Sequence, residues 1–285
     1  MNQKLVRIQS IDKIELPGIL YYPKTKTNKI IIHVHGINGN FYENHFLDTL
    51  ATLYTKKGYA FLTFNNRGRG FVSDLMKNKE RIILGACYEQ FKDCLLDLDG
   101  VISWANKNNY NEIILQGHSY GCNKVSYYYT KRKNENIKSL ILLSPCDMPN
   151  LAKKFLEKNE YDEAKKQSTK LTQENKEDSL IPFSFFATNY ISAKTFYYDL
   201  LPNGENDFFR YREKSTKSKI LNEISIPVLA IFGETDSYVL TEDIDIVKEY
   251  LKENIKIGDV KIIPGADHSF TDKEQTLKNV IKDYL

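Results

Sequence analysis

The sequence predicts an α/β protein with a doubly wound, mostly parallel sheet and an inserted helical cap. Strand and helix patterns alternate along most of the 285 residues. Several strands are continuous apolar runs, which is typical of parallel strands covered on both faces. A lysine- and glutamate-rich stretch interrupts the alternation at about 148–219. We therefore expect a core formed by residues 1–147 and 220–285 and a cap or lid formed by residues 148–219, called the inserted segment below.

The core strands are recognised as short runs of β-branched, aromatic and aliphatic residues between polar or glycine-containing turns. Residues 5–12 and 14–23 predict an N-terminal hairpin because two β-rich stretches are separated by a short polar link. The other predicted strands cover residues 29–35, 59–64, 112–116, 137–143, 227–232 and 260–263.

The core helices follow from apolar residues that recur every three to four positions. These stretches cover residues 47–54, 91–102, from about 120, 244–251 and 277–284. Gly58 is placed to end the first helix in a left-handed conformation. Thr271 and Glu274 have the spacing of a capping box before the last helix.

The inserted segment has two parts of different character. Residues 151–178 carry mixed charges and helical propensity, which predicts a solvated helix pair. The second part is rich in aromatic residues, which either hold the segment to the core or form a substrate wall; the sequence leaves both open. These residues are Phe183, Phe185, Phe186, Tyr190, Phe196, Tyr197 and Tyr198.

Composition excludes several classes of function. The net charge is only +3, from 40 Lys and Arg against 37 Asp and Glu, so we expect neither nucleic acid nor an anionic membrane as partner. No apolar run approaches the roughly 18 residues of a membrane helix, and the N-terminus has no apolar leader core. Four cysteines without metal spacing predict buried free thiols and a cytoplasmic location.

The candidate nucleophile is Ser119. Residues 116–121 contain the pattern G-x-S-x-G, with a buried-type strand before it and a helix after it. This is the context of a nucleophile elbow, in which the serine occupies a strained turn and the glycines let neighbouring elements approach. The following helix N-terminus favours negative charge that develops near the serine.

A serine hydroxyl needs a base, and His268 is the candidate because it follows the last predicted strand. The base needs an orienting carboxylate, and Asp236 follows the preceding strand, at the sheet edge where catalytic groups collect. The order Ser119, Asp236, His268 is the chain order of one serine-hydrolase class. Glu234 and Asp147 remain alternative acids.

Acyl transfer also requires two N–H donors for the tetrahedral oxyanion. One is expected from the backbone of Tyr120, directly after the serine. The other is expected from the glycine-containing loop 35–40, where Ile37 is our candidate.

The motifs HGINGN, NNRGRG, GHSYG, GETD and GADH resemble those of the α/β-hydrolase superfamily, over nearly the whole chain. The combination of FNNRGRG, GHSYGC, SPCD and NYISAKTFYYDLL is similar to serine hydrolases that include siderophore-ester hydrolases, and to small bacterial cinnamoyl-ester esterases with an inserted cap. One departure is Asn65–Asn66, where many relatives carry aspartate before Arg-Gly; it does not touch the candidate triad.

The sequence therefore predicts a carboxylic ester hydrolase that acts on a small-molecule ester and needs neither cofactor nor metal. Rival hypotheses are cleavage of amides or thioesters, acyl transfer, and a non-catalytic ligand-binding member of the fold. Arg67 and Arg69 either bind a substrate carboxylate or brace their loop. The aromatic residues of the inserted segment favour an apolar or aromatic acyl group.

Overall fold

The core of the protein is an eight-stranded sheet whose strand order is β1-β2-β4-β3-β7-β8-β11-β12. The structure is a computed structural model; it describes residues 1–185, 188–213, 217–238 and 244–285, with the backbone alone at 184–185 and 188–189. The sheet strands are β1 Asn2–Gln9, β2 Glu15–Tyr22, β3 Lys29–Val34, β4 Ala60–Phe64, β7 Glu112–His118, β8 Ile137–Leu143, β11 Val228–Gly233 and β12 Gly258–Ile263.

Pairing in the sheet follows the predicted pattern. β1 and β2 form an antiparallel hairpin, β2 pairs antiparallel with β4, and the remaining pairs are parallel. Parallel strands all end at the same edge, so the loops after β3, β4, β7, β8, β11 and β12 converge there. All of the predicted core strands and the N-terminal hairpin are confirmed.

Helices cover both faces of the sheet, and this explains the continuous apolar strands. The helices are α1 Phe46–Lys56, α2 Cys94–Lys107, α3 Tyr120–Arg132, α8 Ile244–Asn254 and α9 Glu274–Tyr284. Ile30 and Ile32 of β3 face a core that includes residues of α2, α3 and α8, while Ile31 faces one that includes α1 and α9. Every position of β3 after Lys29 is therefore buried, so the strand shows no polar alternation.

The inserted segment contains the predicted helix pair and, in addition, a small sheet. Helices α4 Met148–Phe155 and α5 Lys158–Gln173 precede an antiparallel pair, β9 Leu180–Phe185 and β10 Thr188–Ser192. A short helix α6 Ala193–Thr195 continues into a wider π-helical turn Phe196–Leu200, and α7 Lys219–Asn222 leads back to the core. Over its described residues, the inserted segment is therefore less uniformly helical than the sequence predicts.

Several hydrogen bonds attach the inserted segment to the loops at the carboxyl edge of the sheet. Thr195 Oγ1 donates to the main-chain oxygens of Cys87 and Glu89, at 3.0 and 2.9 Å. Tyr211 donates its hydroxyl to the carbonyl of Pro145, 3.2 Å away, just after β8. The segment is thus fixed to the core directly beside the candidate site.

Two local features differ from the expectation. The loop after β4 contains a hairpin, β5 Ser73–Lys77 and β6 Glu80–Leu84, whose turn residues Asn78 and Lys79 both have positive φ. The capping box before α9 is wrong, because the helix begins at Glu274 with Lys273 as N-cap and no side-chain cap. No helix in the described part of the chain is both apolar enough and long enough to cross a membrane.

Candidate functional site

Ser119 lies on a sharp turn between β7 and α3. Its φ of 54° and ψ of −126° fall in a region that residues with a side chain rarely adopt. Two glycines make the turn possible: a Cβ at Gly117 would lie 2.5 Å from the backbone nitrogen of Cys122, and one at Gly121 only 2.0 Å from the carbonyl oxygen of Val34. The sequence pattern therefore has the close-packed elbow geometry that it predicts.

Asp236 and His268 meet at the carboxyl edge of the sheet. The imidazole Nδ1–H donates to the Asp236 carboxylate, with oxygen distances of 3.0 and 2.9 Å. Asp236 is buried, and its Oδ1 also accepts the backbone N–H of Tyr238 at 3.1 Å. This arrangement fixes the tautomer of His268, so that Nε2 carries the lone pair.

The two alternative acids make other contacts. Glu234 Oε2 accepts the backbone N–H of Gly265 at 2.9 Å, which ties one loop to its neighbour. Asp147 caps α4 and forms an ion pair with Arg212 of the inserted segment. Arg212 also binds Asp207 at 2.6 Å. Neither carboxylate is hydrogen-bonded to His268 within the described ranges, so the geometry favours Asp236.

The loop that carries Ile37 packs tightly against the elbow. A Cβ at Gly36 would lie 2.9 Å from the Cβ of Ser119, so the backbone of this loop passes directly beside the serine. Tyr120 is the first residue of α3, where backbone N–H groups have no acceptor within the helix. The two candidate oxyanion donors thus flank Ser119.

The Ser119 hydroxyl contacts a residue that sequence reasoning missed. Its Oγ lies 3.4 Å from the thiol of Cys146, just after β8. Among the described residues, the Ser119 hydroxyl forms no hydrogen bond with His268. Burial raises the pKa of the Cys146 thiol well above its ordinary range, which keeps the sulfur protonated and neutral. No sequence signal pairs these two residues.

Three further histidines are buried near the edge and stay neutral. Burial lowers the pKa of His35 and that of His118 to about 3, and it lowers the pKa of His33 well below its ordinary value. His35 donates from Nδ1 to the carbonyl of Gly36 and accepts the N–H of Asn66 at Nε2, at 2.8 and 3.1 Å. It therefore links the loop after β3 to the loop after β4.

Arg67 braces its loop. Its guanidinium is buried and contacts three carboxylates, those of Asp97, Asp12 and Asp93, at 2.8, 2.8 and 3.4 Å. Arg69 donates to the carbonyl of Asp74 at 2.7 Å. Both arginines therefore have partners within the protein, which favours the bracing role over substrate binding.

A buried ion pair lies against α3. Lys124 Nζ donates to Glu89 Oε2 at 2.8 Å, and both side chains are almost fully buried. Lys124 also donates to Asn66 Oδ1 at 3.3 Å and sits 5.0 Å from the centre of the Tyr120 ring. A Cβ at Gly68 would lie 2.2 Å from the Glu89 carboxylate, so this glycine of the NNRGRG motif makes room for the pair.

The aromatic residues of the inserted segment are divided between its interior and its surface. Phe183 and Phe196 are buried and pack edge to face inside the segment. Tyr197 and Tyr198 line an open cavity of about 610 Å³ between the inserted segment and the core. Tyr190 is exposed. Phe186 and the side chain of Phe185 lie outside the described residues.

Several solved structures superpose on nearly the whole of this chain. Est1E from Butyrivibrio proteoclasticus, solved with ferulic acid bound, superposes with a TM-score of 0.67 at 19% identity, covering 97% of this chain and 96% of that one. DcsB, solved in complex with its substrate analogue, gives 0.69 at 16% identity, covering 99% and 98%. The esterase Pf2001 from Pyrococcus furiosus gives 0.61 at 17% identity, covering 100% and 89%.

These likenesses show that the chain has the α/β-hydrolase fold, as the sequence motifs predicted. A comparison with curated proteins gave no match. In the described parts of the chain, no group of three or more His, Cys, Asp or Glu side chains is placed to hold a metal ion. Residues 71–285 match a family defined from sequence, and the chain therefore belongs to the family described as "Protein of unknown function (DUF1749)".

Proposed function

We propose that this protein is a serine hydrolase that cleaves a carboxylic ester, with Ser119 as nucleophile, His268 as base and Asp236 as the orienting acid. The observation that carries the proposal is the contact of His268 Nδ1 with the buried Asp236 carboxylate, at 2.9 and 3.0 Å, at the sheet edge that also holds the Ser119 elbow. Because the buried carboxylate accepts from Nδ1 of the imidazole, Nε2 is left available as a base.

The chemistry follows from these roles. Ser119 Oγ attacks the ester carbonyl while His268 Nε2 takes its proton, and the carbonyl oxygen becomes an oxyanion. The backbone N–H groups of Ile37 and Tyr120 stabilise that charge. Collapse expels the alcohol, which receives the proton from His268, and leaves an acyl-serine. Water, deprotonated by His268, then releases the acid and restores the serine.

The inserted segment is proposed to act as a cap over this site. It joins the core at Asp147, next to Cys146, through the Arg212 ion pair. Its helix α4 places Phe155 against Tyr238, with the rings 5.4 Å apart, and Tyr238 in turn lies 5.0 Å from the His268 ring. A stack of aromatic rings thus connects the cap to the base.

We infer an ester with an aromatic or apolar group as substrate. The inference rests on the aromatic composition of the inserted segment, because aromatic side chains commonly form the walls of ligand sites. Tyr197 and Tyr198 line an open cavity of about 610 Å³ beside the segment, but Ser119, Asp236 and His268 are not among the residues that line it. The similar structure of Est1E was solved with ferulic acid, an aromatic acid, bound to it. A preference for acetate esters alone, in a panel of alkyl and aryl esters, would contradict this assignment.

The nucleophile is tested with a fluorophosphonate probe, which reacts covalently with an activated serine. We expect mass spectrometry to find the label on Ser119, and Ser119→Ala to remain unlabelled. Neighbouring Ser126 of α3 is a matched control, because Ser126→Ala should label at the rate of the parent protein. An unlabelled parent protein, under conditions in which a known serine hydrolase reacts, would favour a ligand-binding member of the fold.

The same labelled site would also serve amide, thioester or acyl-transfer chemistry. A panel of matched ester, amide and thioester substrates, with and without added alcohol, separates these reactions; we expect the ester to be hydrolysed fastest.

We also propose a cytoplasmic location. It is supported by the four cysteines, all of which are buried as free thiols.

A further inference from the structure

The main chain of His268 is held at its carbonyl group by donors from neighbouring strand ends. His118 Nε2–H, at the end of β7, donates to the His268 carbonyl oxygen at 2.9 Å. The hydroxyl of Ser144, just after β8, lies 3.5 Å from the same oxygen and is a weaker second donor. The histidine that the proposed chemistry needs is therefore held at two points, its carbonyl group and its Nδ1.

These contacts matter because His268 lies in a loop. A bond from Asp236 to Nδ1 fixes one atom of the ring but leaves it free to pivot as the backbone moves. Fixing the carbonyl of the same residue fixes the origin of the side chain as well. Both donors come from rigid elements of the central sheet, and a catalytic group must be held to within a fraction of an ångström.

The surroundings of His118 suit a fixed donor. Its ring lies 4.9 Å from the His268 ring and 5.3 Å from Phe46, whose ring also packs against Phe270 of the His268 loop. Since a carbonyl oxygen only accepts, the proton of His118 resides on Nε2. Its Nδ1 is buried and has no hydrogen-bond partner among the described residues. The loop and the donor therefore share one packed unit.

His118 also stays uncharged. Burial and the neighbouring His268 lower the pKa of its imidazole to about 3. A cationic donor at this place would oppose the imidazolium that forms on His268 during turnover, whereas a neutral N–H does not. Uncharged His118 can thus hold His268 in place without opposing the positive charge that forms on its imidazole.

We propose that His118 is a positioning residue for the base, acting through its Nε2–H bond to the His268 main chain, with Ser144 as the weaker partner. The inference rests on the proposed function, in which His268 is the base. It assigns a role to the residue before the nucleophile, which the elbow motif leaves unspecified.

Two variants distinguish the effect of the His118 hydrogen bond from the effect of the volume of its side chain. His118→Gln keeps an N–H donor close to the Nε2 position, whereas His118→Leu keeps comparable volume without a donor. We expect His118→Leu to slow fluorophosphonate labelling of Ser119 about tenfold, the equivalent of one neutral hydrogen bond. His118→Gln should stay within about threefold of the parent rate. Thermal unfolding of both shows that they are folded at the assay temperature.

A second readout does not depend on catalysis. The Nδ1–H proton of His268, in its bond to Asp236, gives a low-field proton resonance, which Asp236→Asn should abolish. We expect the resonance to broaden by faster solvent exchange in His118→Leu and to persist in His118→Gln. If the parent protein does not label, the proposed function fails, but this measurement still tests the role of His118.

Equal labelling rates and equal resonances in the two His118 variants would overturn the proposal. If His118→Leu does not fold, Ser144→Ala removes the weaker donor, and we expect labelling about twofold slower, since a long bond contributes less than a short one. An unchanged rate and an unchanged resonance in that variant would then also overturn it.

Discussion

The thiol of Cys146 lies 3.4 Å from the hydroxyl of Ser119, the candidate nucleophile, and either group can donate the hydrogen bond between them. Cys146 Sγ is also 3.4 Å from the carbonyl oxygen of Ser144, so a single thiol proton has two possible acceptors. In the proposed reaction the Ser119 hydroxyl passes its proton to His268, so it has to exchange its contact with the thiol for one with the base. The thiol then competes with the base for the hydroxyl.

Replacing Cys146 with alanine should remove the thiol that competes with His268 for the Ser119 hydroxyl. We expect Cys146→Ala to label with a fluorophosphonate about two- to tenfold faster, since it loses one weak hydrogen bond of about 0.5–1.5 kcal/mol in the resting state. Its free energy of unfolding should fall by about 1 kcal/mol because the core loses a buried atom. Cys122→Ala is the control: its thiol is also buried but bonds to the carbonyl of Leu143. A tenfold slower rate in Cys146→Ala alone would show that the thiol assists the serine instead.

The choice of Asp236 over Glu234 as the acid that orients His268 can be tested by replacing each carboxylate in turn. Asp236→Asn keeps the shape of the side chain but removes the charge that faces His268 Nδ1. We expect kcat to fall by about 10³–10⁴-fold, since the amide stabilises neither the needed tautomer nor the imidazolium.

Glu234→Gln is the matched control for that change. Its side chain bonds to the backbone of Gly265, and no bond to His268 is found in the part of the chain that the structure describes. We expect kcat within about threefold of the parent protein, because an exposed bond of this kind contributes little free energy. Steady-state kinetics on one aryl ester measure both variants. Equal losses in the two would reject Asp236 as the triad acid.

The buried histidines make stability depend on pH. The pKa of His35 and that of His118 are lowered to about 3 in the folded protein, against about 6.5 in an unfolded chain. Between these values the unfolded chain binds protons that the folded protein does not, so the free energy of unfolding rises with pH. The stabilisation is complete above about pH 6.5 and is lost as the pH falls toward 3.

Urea unfolding at intervals from pH 7 to pH 4 measures this effect. Each such histidine contributes a slope of about 1.4 kcal/mol per pH unit below its unfolded pKa. We expect His35→Gln to reduce the total slope by about that amount, after any loss of stability at pH 7 is subtracted. His45→Gln, at the exposed start of α1, serves as the composition control. An unchanged slope in His35→Gln would mean that folding does not lower the pKa of His35.

The order of elements in the core could be predicted from the sequence because parallel strands impose a strong local signal. Ile30, Ile31 and Ile32 are all buried, so their run is continuous and short. The meeting of Asp236 with His268 was also predictable, since both follow parallel strands and such strands end at one edge. The strand topology alone is therefore enough to predict that Asp236 and His268 lie close together.

The contacts that sequence reasoning missed depend on packing between distant segments. Cys146 and Ser119 are 27 positions apart, and nothing in either local pattern records their contact. The β5–β6 hairpin left a weak signal, an Asn78–Lys79 turn between short strands with little apolar alternation. From the helix sequence alone, Lys124 would be predicted at the surface. It is buried because Glu89, from a distant loop, provides a charged partner for it.

The Lys124–Glu89 pair is expected to be sensitive to the loss of one partner. Lys124→Met leaves Glu89 as a buried carboxylate whose Oε1 already has no partner among the described residues. Removing one member of a buried pair typically costs about 3–5 kcal/mol, because the other charge remains desolvated. We expect a loss of that size in the free energy of unfolding, measured in urea at pH 7.

The double variant Lys124→Met/Glu89→Leu decides whether the charge or the packing is responsible. It removes both charges and keeps apolar volume, so most of the stability lost in Lys124→Met should return. Lys131→Met is the control on the same helix, since its exposed ammonium lies over the Tyr127 ring at 5.1 Å, and we expect a change below about 1 kcal/mol. If the double variant is less stable than Lys124→Met, the pair contributes a net favourable interaction, and the lone buried charge is not the main cost.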